Sequence, residues 1–238
     1  MKSLVIDIGN SRIKSALFDK EQLLEEKSFG TLEESTEYCS QIDFDCSLVS
    51  SVRFSKSELE ASIPFDFLFL DHETPTPLVN GYATPNTLGL DRLAAAVGAW
   101  HLAGKKPVLA VDMGSCITYE LVTELGVYLG GAISPGMKMR AKAMHHFTAK
   151  LPEIPLFPRP DSDWGDSSTS CISSGIWSGV KFEIEGFIRS ASLKFPEISI
   201  YICGGDSQSF ESLAKDHIFV VPNLVLHGLN CILNHNVE

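Results

Sequence analysis

The sequence predicts an α/β protein built from two similar βββαβαβ halves that flank a cleft. The first observation is a repeated phrase, in which an apolar run ends in Asp, one apolar residue and Gly: "VIDIGNSRIK" begins at residue 5 and "LAVDMGSCIT" at residue 109. The second is the spacing, because Asp7 and Asp112 lie 105 residues apart, close to half of the 238-residue chain. The third is the order of strand-like and helix-like segments, which is approximately the same after each phrase. A duplication of one half explains all three.

The first half, taken as residues 1–105, is expected to open with three strands. Strands are predicted where short apolar or alternating runs end at turn residues, and helices where apolar residues recur at helical spacing. In chain order the segments are the strands "SLVIDI", "IKSALFD" and "LLEEKSF", the helix "LEESTEYCSQ", the strand "CSLVSSV", the helix "SKSELEAS" and the strand "FDFLFL". A loop rich in Pro, Thr, Gly and Asn, "TPTPLVNGYATPNT", then leads into the helix "GLDRLAAAVGAWHLAG".

The second half, residues 106–238, is expected to repeat the order with longer helices. Three strands come first, and a long amphipathic helix is predicted near residues 169–194, where isoleucine, valine and phenylalanine recur at helical spacing. In chain order the segments are the strands "PVLAVDM", "CITYELV" and "GVYLGGAI", the helix "MKMRAKAMHHFTAKL", the long helix, the strand "SIYIC", the helix "SQSFESLAK", the strand "HIFVV" and the helix "PNLVLHGLNCIL".

Composition excludes several classes of protein. A formal net charge of −11 would repel a phosphate backbone, so a nucleic-acid partner is not expected. No apolar run approaches the roughly 18 residues of a membrane helix, and the apolar stretch before Asp7 is too short for a signal peptide. The six cysteines show no C-x-x-C spacing, which argues against a zinc site and a disulfide framework. The sequence therefore predicts a globular cytoplasmic protein without a membrane partner.

The repeated phrase has a chemical interpretation. A strand that ends in Asp-x-Gly points a carboxylate toward a magnesium ion, while the glycine lets backbone N–H groups approach an oxyanion. Two such hairpins facing each other across a cleft would hold a nucleoside triphosphate from both sides. The alternative is that each Asp-x-Gly is an ordinary turn, and this alternative stays open for Asp112 in particular.

The stretch "YATPNTLGLDRL" is the third candidate site. Asp91 falls in the first turn of a predicted helix, where the helix dipole favours an acidic residue, so Asp91 alone needs no further explanation. Arg92 needs a further explanation, because a cation is unfavourable at the amino-terminal end of a helix. Arg92 therefore suggests an anion to bind, such as a substrate carboxylate or phosphate.

Together these motifs resemble the type III pantothenate kinases of the actin, heat-shock-chaperone and sugar-kinase superfamily. "DIGNSRIK" resembles that family's first phosphate phrase, "YATPNTLGLDR" its Tyr followed by Gly-x-Asp-Arg, "DMGSCIT" its second phosphate phrase, and "GGAISPGM" its Gly-Gly-x-Ile-x-Pro-Gly. The resemblance implies a duplicated ribonuclease H-like, actin-like ATPase fold. It also implies a homodimer that transfers phosphate from ATP to pantothenate, giving 4'-phosphopantothenate in the first step of coenzyme A synthesis.

The resemblance further implies a role for each matching position. Asp91 would be the general base. Asp7 would lie near magnesium, and Asp112 would hold a monovalent cation, potassium or ammonium. The ATP phosphates would be lined by Asp7, Ile8, Gly9, Asn10, Ser11, Arg12, Ile13, Lys14 and Ser115. Pantothenate would be held by Tyr82, Gly89, Leu90, Asp91 and Arg92, and also by Ser168 or the adjacent Thr169 in "GDSSTSCISSG".

Some positions depart from the family pattern, and other functions remain open. Ser11 and Ser115 replace Thr and keep its hydroxyl, Glu120 replaces an Asp, and Cys203 replaces a Thr before Gly-Gly. Glu120 and Cys203 bear on nucleotide affinity and cation preference. A sugar, acetate or polyphosphate-dependent kinase is the alternative within enzymes, and an actin-like filament protein or nucleotide sensor is the alternative outside them. Arg92 together with Tyr82 favours a small alcohol that carries a carboxylate.

Overall fold

The first half of the chain forms a five-stranded sheet. The computed structural model describes residues 1–237, and it contains two mixed sheets with helices packed on their faces. The elements of the first half are β1 (Lys2–Ile8), β2 (Ile13–Asp19), β3 (Gln22–Phe29), α1 (Leu32–Cys39), β4 (Cys46–Ser51), α2 (Lys56–Ser62) and β5 (Leu68–Phe69). The strand order is β3-β2-β1-β4-β5, with β1 central, antiparallel to β2 and parallel to β4. The predicted βββαβαβ order is therefore confirmed here.

Two elements connect the halves. β6 (Val79–Asn80) follows the first sheet, and α3 (Leu90–Leu102) follows a 3-10 turn at Pro85–Thr87. Gly89 is the N-cap of α3, so the helix begins where the Gly-Leu-Asp-Arg stretch predicts.

The second half repeats the architecture of the first. Its elements are β7 (Val108–Met113), β8 (Cys116–Val122), β9 (Val127–Pro135), α4 (Met137–His146), α5 (Ser168–Lys194), β10 (Ser199–Cys203), a 3-10 helix (Ser207–Leu213), β11 (Ile218–Val220) and α6 (Leu224–Val237). The strand order β9-β8-β7-β10-β11 matches that of the first sheet, with β7 in the place of β1. β6 adds a sixth strand beside β9, so a strand from the first half joins the second sheet. The division of the chain at residue 105 stays a prediction.

Four predicted segments differ in the structure. The predicted loop of residues 74–87 contains the strand β6 and the 3-10 turn at Pro85–Thr87. The edge strand β5 is only two residues long, because only those two pair with β4. The predicted helix of residues 137–151 ends at His146, where the Thr148 hydroxyl donates to the Met144 carbonyl oxygen and accepts from the Leu151 N–H. Pro152 also disfavours helical geometry at the residue before it. The segment "SQSFESLAK" forms a kinked 3-10 helix rather than an α-helix.

Helices α3 and α6 pack against each other at unusually close range. α3 also packs on β7 and β8, while α6 packs on β1 and β4 of the other sheet. At the crossing, a Cβ on Gly228 would lie 1.8 Å from the Ala94 carbonyl oxygen, and one on Gly98 would lie 2.5 Å from the Leu224 carbonyl oxygen. Only glycine fits at either position, so these two residues set the distance between the helices. No helix within residues 1–237 is long and apolar enough to cross a membrane.

This crossing generates a stability prediction. We expect Gly228→Ala to lower the free energy of unfolding by about 3 kcal/mol, the upper part of the usual range for overpacking, because its methyl group would meet backbone rather than a movable side chain. Urea unfolding measures the change. Gly205→Ala is the control, since a Cβ there meets no atom within 4 Å. A Gly228→Ala protein as stable as the parent would contradict the close packing.

Candidate functional site

The first wall of the site is the β1–β2 turn. Asp7 is the penultimate residue of β1, and Lys14 lies opposite it on β2. The Gly9 N–H donates to the Arg12 carbonyl oxygen at 3.1 Å, which closes the turn and leaves the two residues between them exposed. The turn thus presents small and polar groups to solvent directly beside a carboxylate.

Two of the predicted phosphate-lining residues belong to the core. Ile8 and Ile13 pair at the base of the β1–β2 turn, and both are fully buried. Their side chains therefore face away from solvent, and only their backbone atoms are available to a ligand. Asn10 and Ser11 are exposed at the tip of the turn and carry its free polar side chains.

The second wall is the β7–β8 turn, which occupies the equivalent place in the other sheet. Asp112 is the penultimate residue of β7, as Asp7 is of β1, and the Gly114 N–H donates to the Cys116 carbonyl oxygen at 2.9 Å. Ser115 is exposed at the tip. The Gly136 N–H donates to the Ser115 carbonyl oxygen at 3.1 Å, so the "SPGM" segment holds this turn from the side.

The end of β10 packs directly against Asp112. A Cβ on Gly204 would lie 2.3 Å from an oxygen of the Asp112 carboxylate, and the backbone there has a φ of +90°, which favours glycine. Cys203 is paired with Asp112 across the strands and is fully buried. Burial and the charge of Asp112 raise the pKa of the Cys203 thiol, so it remains a neutral neighbour of the carboxylate.

The amino terminus of α3 supplies the third wall. Asp91 is the second residue of the helix, and its carboxylate accepts a hydrogen bond from the Arg92 N–H at 2.8 Å. A Cβ on Gly89 would lie 2.6 Å from the same carboxylate oxygen, so glycine at the N-cap leaves room for it. Leu90 turns into the apolar core and anchors the first turn. The Asp91 carboxylate is half-buried beside free backbone N–H groups of the helix end.

Electrostatic coupling shows that the three walls converge. Burial, together with the charges of Asp91 and Asp112, raises the pKa of Asp7 to about 7, and Lys14 partly opposes the shift. Burial and the charge of Asp91 raise the pKa of Asp112 to about 6. Three carboxylates and one lysine from opposite sheets and a helix therefore lie close enough to influence one another's charge.

Arg92 points to a buried acidic partner rather than to solvent. Its Nε donates to Glu120 Oε1 at 2.7 Å and its Nη2 to Oε2 at 2.8 Å. The Tyr128 hydroxyl donates to Glu120 Oε2 as well. Burial alone would lower the pKa of Arg92, but its bonds to Glu120 raise it above the ordinary value, so the guanidinium is charged. The anion that Arg92 meets within the chain is thus Glu120.

Tyr82 lies beside this network. Its ring lies 5.8 Å from the Arg92 guanidinium carbon and 6.0 Å from the Tyr128 ring, measured to ring centroids. Gly130, with a φ of +95°, passes close to the ring, since a Cβ there would lie 3.4 Å from it. The structure therefore brings together Tyr82 and Arg92, which the sequence analysis paired.

Ser168 lies elsewhere in the chain. It is the first residue of α5, after an N-cap at Ser167, and it lines a cavity of about 700 Å³ with residues drawn from 151–172. Within the described chain it makes no hydrogen bond to Tyr82 or to α3. Thr169 is the next residue of the same exposed helix end.

The carboxylates of the site suit a magnesium ion that binds together with substrate phosphates. Within residues 1–237 no group of three or more His, Cys, Asp or Glu side chains is close enough to form a metal cage by itself. Asp7 and Asp112 are hard oxygen donors whose mutual repulsion a cation would relieve. Mg²⁺ typically binds one or two carboxylates together with substrate phosphates and water, and Asp7 and Asp112 fit that pattern.

Sequence reasoning missed three parts of the site. It recorded Glu120 only as a departure from the family pattern, and it did not identify Tyr128 as its partner. It also did not foresee the contact of Gly204 with Asp112. The available signal was weak, namely a lone acidic residue in the apolar strand "CITYELV" and a glycine pair directly after β10.

Comparison with known proteins identifies relatives along the whole chain. The family model for type III pantothenate kinase matches residues 3–190. The type III pantothenate kinase of Christiangramia forsetii is 44% identical over 241 residues, which cover 98% of each chain. That of Bacteroides fragilis is 41% identical, again with 98% of each chain covered.

A solved structure supports the fold. A crystal structure from Campylobacter jejuni, described as a Baf family transcriptional activator, has a TM-score of 0.64 at 22% identity, with 98% of both chains covered. This likeness bears on architecture alone, because the identity is low. The actin-like ATPase and sugar-kinase fold that the sequence predicts is confirmed.

The raised pKa of Asp7 generates a pH prediction. Since its folded pKa of about 7 lies above the ordinary 3.8, its contribution favours folding at low pH and is lost as the pH rises from about 4 to about 7. Asp7→Asn should therefore raise the free energy of unfolding of the unliganded protein at pH 8 by at least about 1.4 kcal/mol, the equivalent of one pKa unit, and change it little at pH 4.

Urea unfolding at pH 4, 6 and 8 measures this difference. Asp161→Asn is the control, because Asp161 is exposed. An effect of Asp7→Asn that is the same at pH 4 and pH 8 would show that the carboxyl is not strained by burial and its acidic neighbours.

Proposed function

The chain belongs to the type III pantothenate kinase family, and we propose that Asp91 is the base of its reaction. The enzyme transfers a phosphoryl group from ATP to pantothenate, giving 4'-phosphopantothenate in the first step of coenzyme A biosynthesis. One observation carries the assignment of Asp91. After burial, the charge of Asp91 is a cause of the raised pKa values of both Asp7 and Asp112, so a hydroxyl bound at the start of α3 would lie close to phosphates held between the two turns.

The role of Asp91 follows from the demands of phosphoryl transfer. The transition state is loose and needs mainly positioning and neutralisation of charge, so a carboxylate can accept the hydroxyl proton late in the step. The first turn of α3 holds the Asp91 carboxylate through the Arg92 N–H. The substrate oxygen attacks the terminal phosphorus of ATP as the bond from that phosphorus to the bridging oxygen breaks and ADP leaves, and Asp91 accepts the hydroxyl proton.

The two turns bind ATP. The phosphates contact the stretch from Asp7 to Lys14 on one side and Ser115 on the other. Backbone N–H groups near Gly9 and Gly114 approach the phosphate oxygens, because no Cβ stands in the way, and Lys14 contributes a positive charge. Asp7 would hold a Mg²⁺ ion bound together with ATP, and the ion would supply neutralisation of the phosphate charge.

Pantothenate binds beside α3. Gly89, Leu90 and Arg92 form one side of its site and Tyr82 packs on the other, with the primary hydroxyl directed to Asp91. Support comes from the Tyr82–Arg92 contact and from the space that Gly89 leaves at the helix end. Ser168 or Thr169 adds a further contact to pantothenate. Within residues 1–237 Ser168 makes no hydrogen bond to Tyr82 or α3, and it lines a cavity formed by residues 151–172, so we expect that contact from a second copy of the chain.

We expect the protein to be a homodimer because of the exposed apolar residues of α5. α5 exposes Phe182 and Leu193, 55% and 82% accessible, on one face of the helix, where Gly175 has no neighbour that a Cβ would meet. Large exposed apolar side chains on one helix face favour a contact between subunits. A kinase that consumes ATP works where ATP is made available, so we expect a cytoplasmic enzyme.

Asp112 holds a monovalent cation. Its carboxylate lies against Gly204, near Cys203, and its pKa of about 6 reflects burial and the charge of Asp91. A weakly hydrated ion such as potassium or ammonium offsets this charge, while Gly114 and Ser115 remain free to contact phosphate.

The first test replaces the proposed base. Asp91→Asn keeps the size of the side chain and removes its ability to accept a proton, so kcat should fall by roughly 10²–10⁴-fold, the usual contribution of a general base. ATP binding and thermal stability should change little. The measurement is ADP release with pantothenate, ATP and magnesium, and Glu33→Gln in the first turn of α1 is the matched control. Turnover near the parent value would remove Asp91 from the mechanism.

The second test concerns the cation. Rates are compared in potassium, ammonium and sodium salts at equal ionic strength, because screening treats these ions alike whereas a coordinating site does not. The parent enzyme should depend on potassium or ammonium, and Asp112→Ala should lose both that dependence and most activity. Equal rates in all three salts, with no loss in Asp112→Ala, would leave Asp112 as a simple turn residue.

A further inference from the structure

Arg92 and Glu120 are the two charged side chains that are buried within the described part of the chain. Glu120 lies in the middle of β8 and is fully inaccessible to solvent. Burying a charged pair brings little net stability compared with apolar residues of the same volume, because both ions lose their hydration. Stability alone therefore does not explain why the pair lies beside the substrate site.

The geometry of the pair selects one edge of the guanidinium. Glu120 uses Nε and Nη2 of Arg92, so the carboxylate occupies the side edge of the planar fork. Glu120 leaves three of the five N–H donors of Arg92, and two of these form the end edge between Nη1 and Nη2; the Tyr82 side chain also approaches the guanidinium and helps to raise the pKa of Arg92. That end edge has the geometry to receive a second carboxylate with two parallel hydrogen bonds.

Tyr128 holds Glu120 in turn. Its hydroxyl donates to the same oxygen, Oε2, that accepts from Nη2 of Arg92. Burial and the charge of Glu120 raise the pKa of Tyr128, so the hydroxyl keeps its proton and remains a donor. Both oxygens of Glu120 are thereby satisfied, and its carboxylate plane is fixed by groups from α3 and β9.

We infer that Glu120, supported by Tyr128, is a positioning residue that fixes the side edge of Arg92 and leaves its end edge for the carboxylate of pantothenate. This inference rests on the proposed function of Arg92 in substrate binding. Arg92 needs to be held in place because the carboxylates of Asp7, Asp91 and Asp112 lie together beside it in the same site. An Arg92 side chain without Glu120 would be drawn toward these carboxylates, and it would then neutralise the base and cease to face the substrate.

The chain offers a matched control for this pair. Glu183 on α5 also accepts hydrogen bonds from an arginine and a tyrosine, namely Arg140 at 2.5 Å and Tyr119 at 2.8 Å. Tyr119 and Glu120 are neighbours on β8 and point to opposite faces of the sheet. Glu183 also accepts from the Ser134 hydroxyl at 2.5 Å, so loss of its carboxylate removes a comparable network from the other face, on the side of the Ser115 turn rather than of Arg92.

The experiment measures KM for pantothenate and for ATP separately. Glu120→Gln should raise KM for pantothenate at least tenfold and leave KM for ATP within twofold. The glutamine NH₂ group cannot accept a hydrogen bond, so one of the two bonds that hold Arg92 is lost and its side chain is free to move. Glu120→Asp should recover part of the loss, since it restores the charge. Tyr128→Phe should raise KM for pantothenate several-fold. Glu183→Gln should leave KM for pantothenate within twofold, and any effect of it should fall on KM for ATP, because Glu183 is bonded to Ser134 beside the Ser115 turn.

A double-variant cycle tests the route through Arg92. If Glu120 acts by positioning Arg92, then adding Glu120→Gln to Arg92→Ala should not raise KM for pantothenate further. Additive effects would overturn the inference, and so would equal changes in both KM values or a shift of KM for pantothenate in Glu183→Gln as large as that in Glu120→Gln.

The remaining outcomes are also decisive. Should Glu120→Gln fail to fold, Tyr128→Phe answers the question, and an unchanged KM ratio in that variant overturns the inference. If the parent enzyme releases ADP with pantothenate but these variants show no shift in KM, only the role of Glu120 is contradicted. A parent enzyme that does not phosphorylate pantothenate contradicts the proposed function instead.

Discussion

The crossing of α3 and α6 is the contact on which the arrangement of the site depends. α3 carries Asp91 and Arg92 at its amino terminus, and it packs on the second sheet, while α6 packs on the first. Gly98 and Gly228 let the two backbones approach until a methyl group no longer fits between them. The two sheets are thereby joined through a helix pair, and the end of α3 is fixed relative to the turns that follow β1 and β7. Rigid elements of this kind hold catalytic groups more accurately than loops do.

This arrangement concentrates negative charge. Asp7 and Asp112 occupy equivalent places in the two sheets, and Asp91 is brought to them by α3, so each carboxylate raises the free energy of the others when all are ionised. The raised pKa values of Asp7 and Asp112 record that cost, with burial as the larger cause. A site whose carboxylates repel one another when empty would be relieved by any cation that bound between them, which is the physical ground for the proposed metal sites. The three carboxylates would thus favour the cation-bound state.

Arg92 shows how a correct chemical inference can identify the wrong immediate partner. A cation in the first turn of a helix needs an anion, and the sequence analysis supplied one from the substrate. The structure supplies one from β8, through two hydrogen bonds to Glu120. The two answers are compatible, because the guanidinium has two edges and Glu120 occupies one of them. The buried pair then explains why a cation is tolerated beside the positive end of α3.

The sequence by itself determined the repeated architecture, because hydrophobic periodicity and turn residues are local properties of the chain. The order of the strands β1 to β5 and β7 to β11, the start of α3 and the pairing of Asp7 with Asp112 all followed from such local patterns. The predicted end of α4 was wrong. The helix stops at His146 because the Thr148 hydroxyl donates a hydrogen bond to the Met144 carbonyl oxygen and Pro152 follows. Apart from the start of α3, the existence of an element was more secure from pattern alone than the position of its ends.

The tertiary structure decided which residues meet. Glu120 and Arg92 are 28 residues apart, and Gly204 lies far along the chain from Asp112, so no spacing in the sequence reports their contact. The addition of β6 to the second sheet and the separation of Ser168 from α3 likewise depend on how the halves pack. Local conformational preferences select strands and helices. The contacts between these elements depend on burial and charge over the whole fold, which are known only once the three-dimensional arrangement is known.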